Sequence, residues 1–518
     1  FASRKEALRA NVRGDTDLTG ISYINCPLFK ANYAAADTSS NNRFSIDYTF
    51  GWLKSQRVRI LANISCSPSR FPLAGDTDWP RKWEIWQHYY AEAFYLGKMY
   101  DVSWFGIMNE PNNWLGVTPE DWLRRLIIAS DAIQSALADV NQVTGKSLAV
   151  KIFSPNTANG ASKYDDYATG DYWGQLGTQN LHRTLTGITD LGWKNFHIYN
   201  YQKYSRLQYD TATATGYIDD YNRLANKISA DIAPEILPLA LTEFNSRTAG
   251  SYDTVTNNAD SPEDYSALGA SLIALSRAEQ LYLFKFGMTA SDGPNYPVAK
   301  NGTHYVDNVS GLRPYGGPSS TAEVYRLFND AARDRRNVYS TSGAPVDVWT
   351  LATKDPTTGN GYIFVANKTT SAVSLDFSVA ALGIANGSAV FLEEVSTSVK
   401  GGVRLTTAVS SGRIPSVSMP AQSVWLLTII PATKSPVLAK ASENAVLRDG
   451  AGKSLTGAAP SSLTVRADGT IDGRRVTLLK FPLAGATAVP QRVILSLQAS
   501  TISKSAAVGV HFYGLDND

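Results

Sequence analysis

Residues 102–114 read "VSWFGIMNEPNNW", an apolar run that stops at Asn109 and Glu110 with Pro111 next. Such a run suits a strand buried on both faces, and it delivers a carboxylate to the point where the strand meets its following loop. Pro111 restricts the backbone at that junction, so the Glu110 side chain is held in place. Glu110 is therefore a candidate proton donor in an expected apolar surround, and Asn109, with an amide donor and acceptor, a candidate ligand of a hydroxyl.

Outward from this stretch, strand-like and helix-like segments alternate. "RVRILANISCSP" (57–68), residues 101–111, "LAVKIFSPN" (148–156), "NFHIYNY" (195–201), "LPLALTEFNS" (237–246) and "LYLFKFGM" (281–288) read as strands. Helical spacing is found at 80–100, 119–142, 217–232, 262–280 and 319–334. This rhythm predicts an α/β fold, a (β/α)₈ TIM barrel over residues 1–335, with "TGISYINCPLF" (19–29) as one further strand and the front edge short of another. From 336 to 432, short alternating runs such as "DVWTLAT", "GYIFVANKT" and "QSVWLLTII" predict an antiparallel β-sandwich, and residues 433–518 a further β-module without a closing strand.

In a barrel, functional groups sit at the C-terminal ends of the strands. Glu243 ends the strand at 237–246 as Glu110 ends its own, and two carboxylates facing one mouth are the pair that glycoside hydrolysis needs. Asn156 and Arg70 fall on loops after other strands. Trp114 is a candidate sugar platform, while Trp83 and Trp86, at i and i+3 on a helix, belong to the core. His197 either contacts substrate or is a hydrogen-bonded interior residue.

Composition excludes several alternatives. A formal net charge of +2 gives no electrostatic case for nucleic acid or an anionic membrane, and no apolar run is long enough to span a bilayer. Eleven Trp and 26 Tyr suit flat contacts with sugar rings. "DGAGKSLTG" lacks the first glycine of a phosphate loop, "DTDLTG" lacks the closing Glu of a calcium loop, and the five His show no ligand spacing, so neither a metal nor a cofactor is expected. Cys26 and Cys66 allow one bridge. Sequons begin at Asn63, Asn301, Asn308, Asn367 and Asn386, and the opening residues carry no apolar signal segment, as a processed secreted protein would.

"NEP" at a fourth strand with a Glu at the seventh resembles the clan A glycoside hydrolases. The resemblance implies a retaining mechanism with Glu110 as acid/base and Glu243 as nucleophile, Asn109 on the 2-hydroxyl, and Tyr199 or Tyr201 steadying the nucleophile. "WFGIMNEPN" and "HIYNY" are similar to glycoside hydrolase family 86, the agarase and porphyranase group, and to family 39, implying as substrate first a galactan of the agar or porphyran type and second a xylan or other β-glycan. The tail, from "NAVLRDG" to "RVILSLQAS", resembles DNRLRE-type modules, some of which bind polysaccharide. A binding or structural protein built on the same barrel remains the other reading.

Overall fold

A computed structural model describes residues 2–14, 46–55, 57–64, 66, 68–69, 71–114, 116–158, 160–185, 187–188, 193–204, 216–245, 261–276, 281–283, 320–333, 336–432, 443–448 and 475–480. The strand expected at 19–29, Cys26, Arg70, the sequons at Asn301 and Asn308, and most of 433–518 lie outside the described residues.

Helices α1 (Ala2–Gly14) and α2 (Ile46–Ser55) precede strand β1 (Leu61–Ile64), helix α3 (Trp79–Tyr100) and strand β2 (Trp104–Ile107). Helix α4 (Pro119–Thr144), strand β3 (Lys151–Thr157), the short helix α5 (Trp173–Gln179) and strand β4 (Ile198–Tyr204) come after them. Helix α6 (Gly216–Ile232), strand β5 (Leu239–Asn245), helix α7 (Pro262–Leu275), strand β6 (Leu281–Leu283) and helix α8 (Ser320–Ala332) complete the α/β part. Helix boundaries obey local chemistry. The Thr118 hydroxyl accepts from the Asp121 amide at 3.2 Å, Pro119 occupies the first turn of α4, and Gly145 closes it at φ 70°, where a side chain would be strained.

β1 to β6 form one parallel sheet in which spatial order equals chain order. An open nucleotide-binding sheet reverses direction at a switch point, whereas a sheet wound one way curls toward a barrel. Side chains alternate between its two faces. Leu61, Trp104, Phe153, Ile198 and Ala240, one from each of five adjacent strands, pack together as the apolar floor inside the curl. Ala62, Phe105, Ile107, Ile152, Leu239 and Leu241 point the other way, into the core shared with the helices. Trp86 is fully buried there, with its indole N–H donating to Asp131 at 2.7 Å. Lys5 and Arg9 of α1 pair with Asp131 and Asp139, at 2.7 and 3.0 Å, and so fasten α1 to α4.

Beyond α8 come eight antiparallel strands: β7 (Asn337–Tyr339), β8 (Val348–Lys354), β9 (Gly361–Asn367), β10 (Val373–Ser378), β11 (Ala389–Val395), β12 (Lys400–Ala408), β13 (Arg413–Met419) and β14 (Ser423–Ile430). Six make one sheet, ordered β12-β11-β14-β9-β8-β7, and β10 pairs with β13 in a second. The near-continuous apolar runs of β9 and β14 are explained by burial of both their faces. Phe364, Ala366, Val424 and Leu426 face α7 and α8 within the main core, while Ile363, Val365, Trp425 and Leu427 face the second sheet. Contact with α7 is tight enough that a Cβ on Gly269 would lie 2.9 Å from Val424 Cγ2. The six-stranded sheet thus packs against α7 and α8. Strands β15 (Glu443–Arg448) and β16 (Arg475–Lys480) pair antiparallel.

One sequon is unsuited to glycosylation of the folded chain: Asn367 is fully buried and donates to the Ser371 and Pro420 carbonyls at 3.1 and 2.7 Å.

Candidate active site

Two residues above the apolar floor, inward positions turn polar. Asn63, Gly106, Asn200 and Thr242 occupy them on β1, β2, β4 and β5, and Gln202 lies a further two residues along β4. Gly106 makes room for Asn63: a Cβ there would stand 3.1 Å from the Asn63 Oδ1.

Two register shifts aim the remaining side chains. Pro155 pairs with Asn200 and Thr157 with Tyr201, leaving Asn156 as an extra residue in β3, at φ 56°. Tyr201 pairs with Leu241 and Gln202 with Glu243, leaving Thr242 as an extra residue in β5. An inserted residue bends its strand and re-aims the side chains beyond it, and here the second shift brings Glu243 level with Gln202.

The side chains then close into one network. Gln202 Nε2 donates to Glu243 Oε1 at 2.9 Å and to Asn109 Oδ1 at 2.9 Å. Asn156 Nδ2 donates to the same Asn109 Oδ1 at 3.1 Å and to the Met108 carbonyl at 3.2 Å. Asn200 Nδ2 donates to Asn156 Oδ1 at 2.9 Å, and the Asn156 amide N–H returns to Asn200 Oδ1 at 2.9 Å. Glu110 stands at the end of β2 with φ 47°; its amide donates to the Asn156 carbonyl at 3.0 Å, and Asn113 Nδ2 donates to its Oε2 at 2.9 Å. Pro111–Asn113 form a short 3₁₀ turn that holds this geometry. The carboxylate neighbours amides, where the sequence reading expected an apolar surround.

Glu243, Asn109 and Asn156 therefore share one network, Glu110 adjoins it through its backbone amide on the Asn156 carbonyl, and Trp114 sits half-buried just past the 3₁₀ turn. Tyr199 and Tyr201 do not join them. Both are 0% exposed and turned outward into the helix-facing core, Tyr199 against Tyr164 and Phe196, because they alternate with the inward Asn200 and Gln202. Nor does His197, which precedes β4 at the opposite end of the sheet. Its Nδ1 accepts from the Ile152 amide at 3.2 Å, beside Trp193 and Gln134, so it is the hydrogen-bonded interior residue of the two readings. Gln202, Asn200, Thr242 and Asn63 are the residues that sequence reasoning missed. Counting by twos from Ile198 into "HIYNYQ" would have marked Asn200 and Gln202.

Burial, with Lys151 and Lys194 nearby, pushes the His197 imidazole down to about 4. The unfolded chain then binds more protons than the folded one between about pH 4 and the ordinary imidazole value of about 6.5. The stabilisation is complete above that window and is lost as pH falls through it. His197→Asn, which keeps an acceptor for the Ile152 amide without titrating, is expected to remove at most about 3 kcal/mol of that acid sensitivity. Urea midpoints of both proteins at pH 5 and pH 7 check this, and equal pH slopes refute it.

No family model matches the chain, and no curated protein sequence matches it. Among solved structures, the chain is similar to a glucosidase from Croceicoccus marinus, with 13% identity, 75% of this chain and 82% of that chain covered, and a TM-score of 0.53. It is also similar to a monomeric beta-xylosidase from Caulobacter crescentus CB15, at 14% identity, 74% and 84% coverage and a TM-score of 0.49. A third is the family 30 subfamily 8 xylanase Xyn30A from Clostridium acetobutylicum, at 11% identity, 77% and 87% coverage and a TM-score of 0.47. The likeness to the glucosidase is one of fold: a curled parallel α/β sheet continuing into antiparallel sheets is an architecture on which a glycoside hydrolase is built.

Proposed function

We propose that the chain is a retaining glycoside hydrolase acting on an uncharged β-glycan of glucosyl or xylosyl units. One observation carries this reading: Glu243, on the fifth strand of the sheet, and Asn109, the neighbour of Glu110 on the second, share a single amide, that of Gln202. Glu243 attacks the anomeric carbon while Glu110 gives its proton to the departing oxygen; water then enters with Glu110 as base. Asn109 Oδ1 already accepts from Gln202 and Asn156, so its own Nδ2 is the group turned to a sugar hydroxyl. The amides of Asn63 and Asn109 suit hydroxyls rather than sulfates, and the solved structure similar in fold is a glucosidase. The galactan preference rests on the short motif likeness to family 86 and is the second choice.

The same reading completes the curl as an eight-stranded barrel and sets the units at 1–335, 336–432 and 433–518, with the last a glycan-binding module. A polymeric substrate fits secretion. Incubation with xylan, xyloglucan, mixed-linkage glucan, agarose and porphyran, read by reducing ends, tests the function against Glu243→Gln. Expected are release by the wild type on at least one of the first three and a first product that keeps the β configuration by proton NMR. Equal inertness of both proteins on every glycan favours a binding protein, and an inverted first product rejects the two-step mechanism.

A further inference from the structure

We propose that Gln202 is a positioning residue that holds Glu243 in its attacking orientation through an uncharged donor and ties it to Asn109, an inference that rests on the function proposed above. Gln202 is 1% exposed. Its Nε2 lies 2.9 Å from Glu243 Oε1, 2.9 Å from Asn109 Oδ1 and 3.3 Å from Asn156 Oδ1, all of them acceptors. Turning the amide over would put Oε1 against these oxygens with no proton between them, so only one orientation is chemically consistent.

That orientation has a cost. Gln202 Oε1 is buried and accepts no hydrogen bond from the described residues. A buried acceptor left unmatched lowers stability, and a fold keeps one where something else depends on it. Here the dependent group is Glu243, since the register shift at Thr242 brings that carboxylate level with Gln202. A neutral amide restrains the carboxylate without neutralising it, and it does not titrate in the range where the acids work. Because the second proton of the same nitrogen goes to Asn109, a displacement on one side of the cleft is felt on the other.

Gln202→Leu removes the donor at similar volume and deletes the unmatched acceptor. It is expected to lower kcat about 10²-fold, with a smaller change in KM, while the thermal midpoint stays level or rises. Gln202→Glu sets a second carboxylate beside Glu243; the two share a proton, and the acid limb of the kcat/KM profile moves up by about one pH unit or more. A merely structural residue would lower the thermal midpoint and leave the pH profile in place. Undiminished kcat in Gln202→Leu, or a loss of activity that tracks a falling midpoint, overturns the proposal, as does an unmoved acid limb in Gln202→Glu. A stability cycle of Gln202→Leu and Glu243→Ala, each of which removes one partner, reads the bond whether or not the chain turns over. Non-additivity supports it, and additivity overturns it. Wild-type inertness on every glycan defeats the function instead, which the stability cycle then separates from the Gln202–Glu243 link.

Discussion

Glu243→Gln is expected to lower kcat/KM at least about 10³-fold on whichever glycan the wild type cleaves, with little change in thermal midpoint. The substituted side chain keeps an Oε1 for the Gln202 amide, so the network around Asn109 and Asn156 survives. The charged oxygen that forms the bond to the anomeric carbon disappears. Glu243→Gly goes further, because it leaves room at the end of β5 for a small anion. With sodium azide and an aryl glycoside, azide bonds to the anomeric carbon as the aryloxide departs, giving a glycosyl azide of inverted configuration. Mass spectrometry and NMR of that product locate the nucleophile. Retention of more than about a tenth of wild-type activity by Glu243→Gln would remove Glu243 from the role.

The elements that set this site differ in how far the sequence reveals them. Helix α4 is legible because Thr118, Pro119, Glu120 and Asp121 supply a cap, a preset first turn and favourable charges at its start, and Gly145 a left-handed stop. β9 and β14 are legible as strands from their unbroken apolar runs, although only packing against both α7 and the second sheet explains why neither alternates. Glu110 and Glu243 stand out because each ends such a run. The network between them does not, since it depends on the extra residues Asn156 and Thr242. One inserted residue exchanges the faces of everything after it, and hydrophobic pattern alone does not register a bulge at a polar residue near a strand end. The aromatic residues of "HIYNY" fill the layer between sheet and helices, and the smaller amides that alternate with them, Asn200 and Gln202, are buried on the inner face of the curl.

Removing the other acid is expected to have an effect that depends on the leaving group. With a natural glycan, Glu110→Gln lowers kcat/KM at least about 10³-fold, because the departing sugar oxygen must otherwise leave as an alkoxide. With a dinitrophenyl glycoside, whose phenolate departs without help, the attack by Glu243 proceeds at nearly the wild-type rate. The second step then fails, since no base draws the proton from the incoming water, and the glycosyl ester on Glu243 accumulates as a burst before a slow phase. Azide, which needs no base, restores turnover and yields a β-glycosyl azide, the opposite anomer to the Glu243→Gly product. The geometry supports this division of labour: Glu110 is fixed at φ 47° by the Asn156 carbonyl and the 3₁₀ turn, on a different strand from the nucleophile, so its loss leaves the Gln202–Glu243 bond in place. Intact-protein mass spectrometry after mixing with the dinitrophenyl substrate checks for the ester. Equal losses on both substrates, with no ester and no azide response, would mean that Glu110 orients the cleft rather than moving a proton.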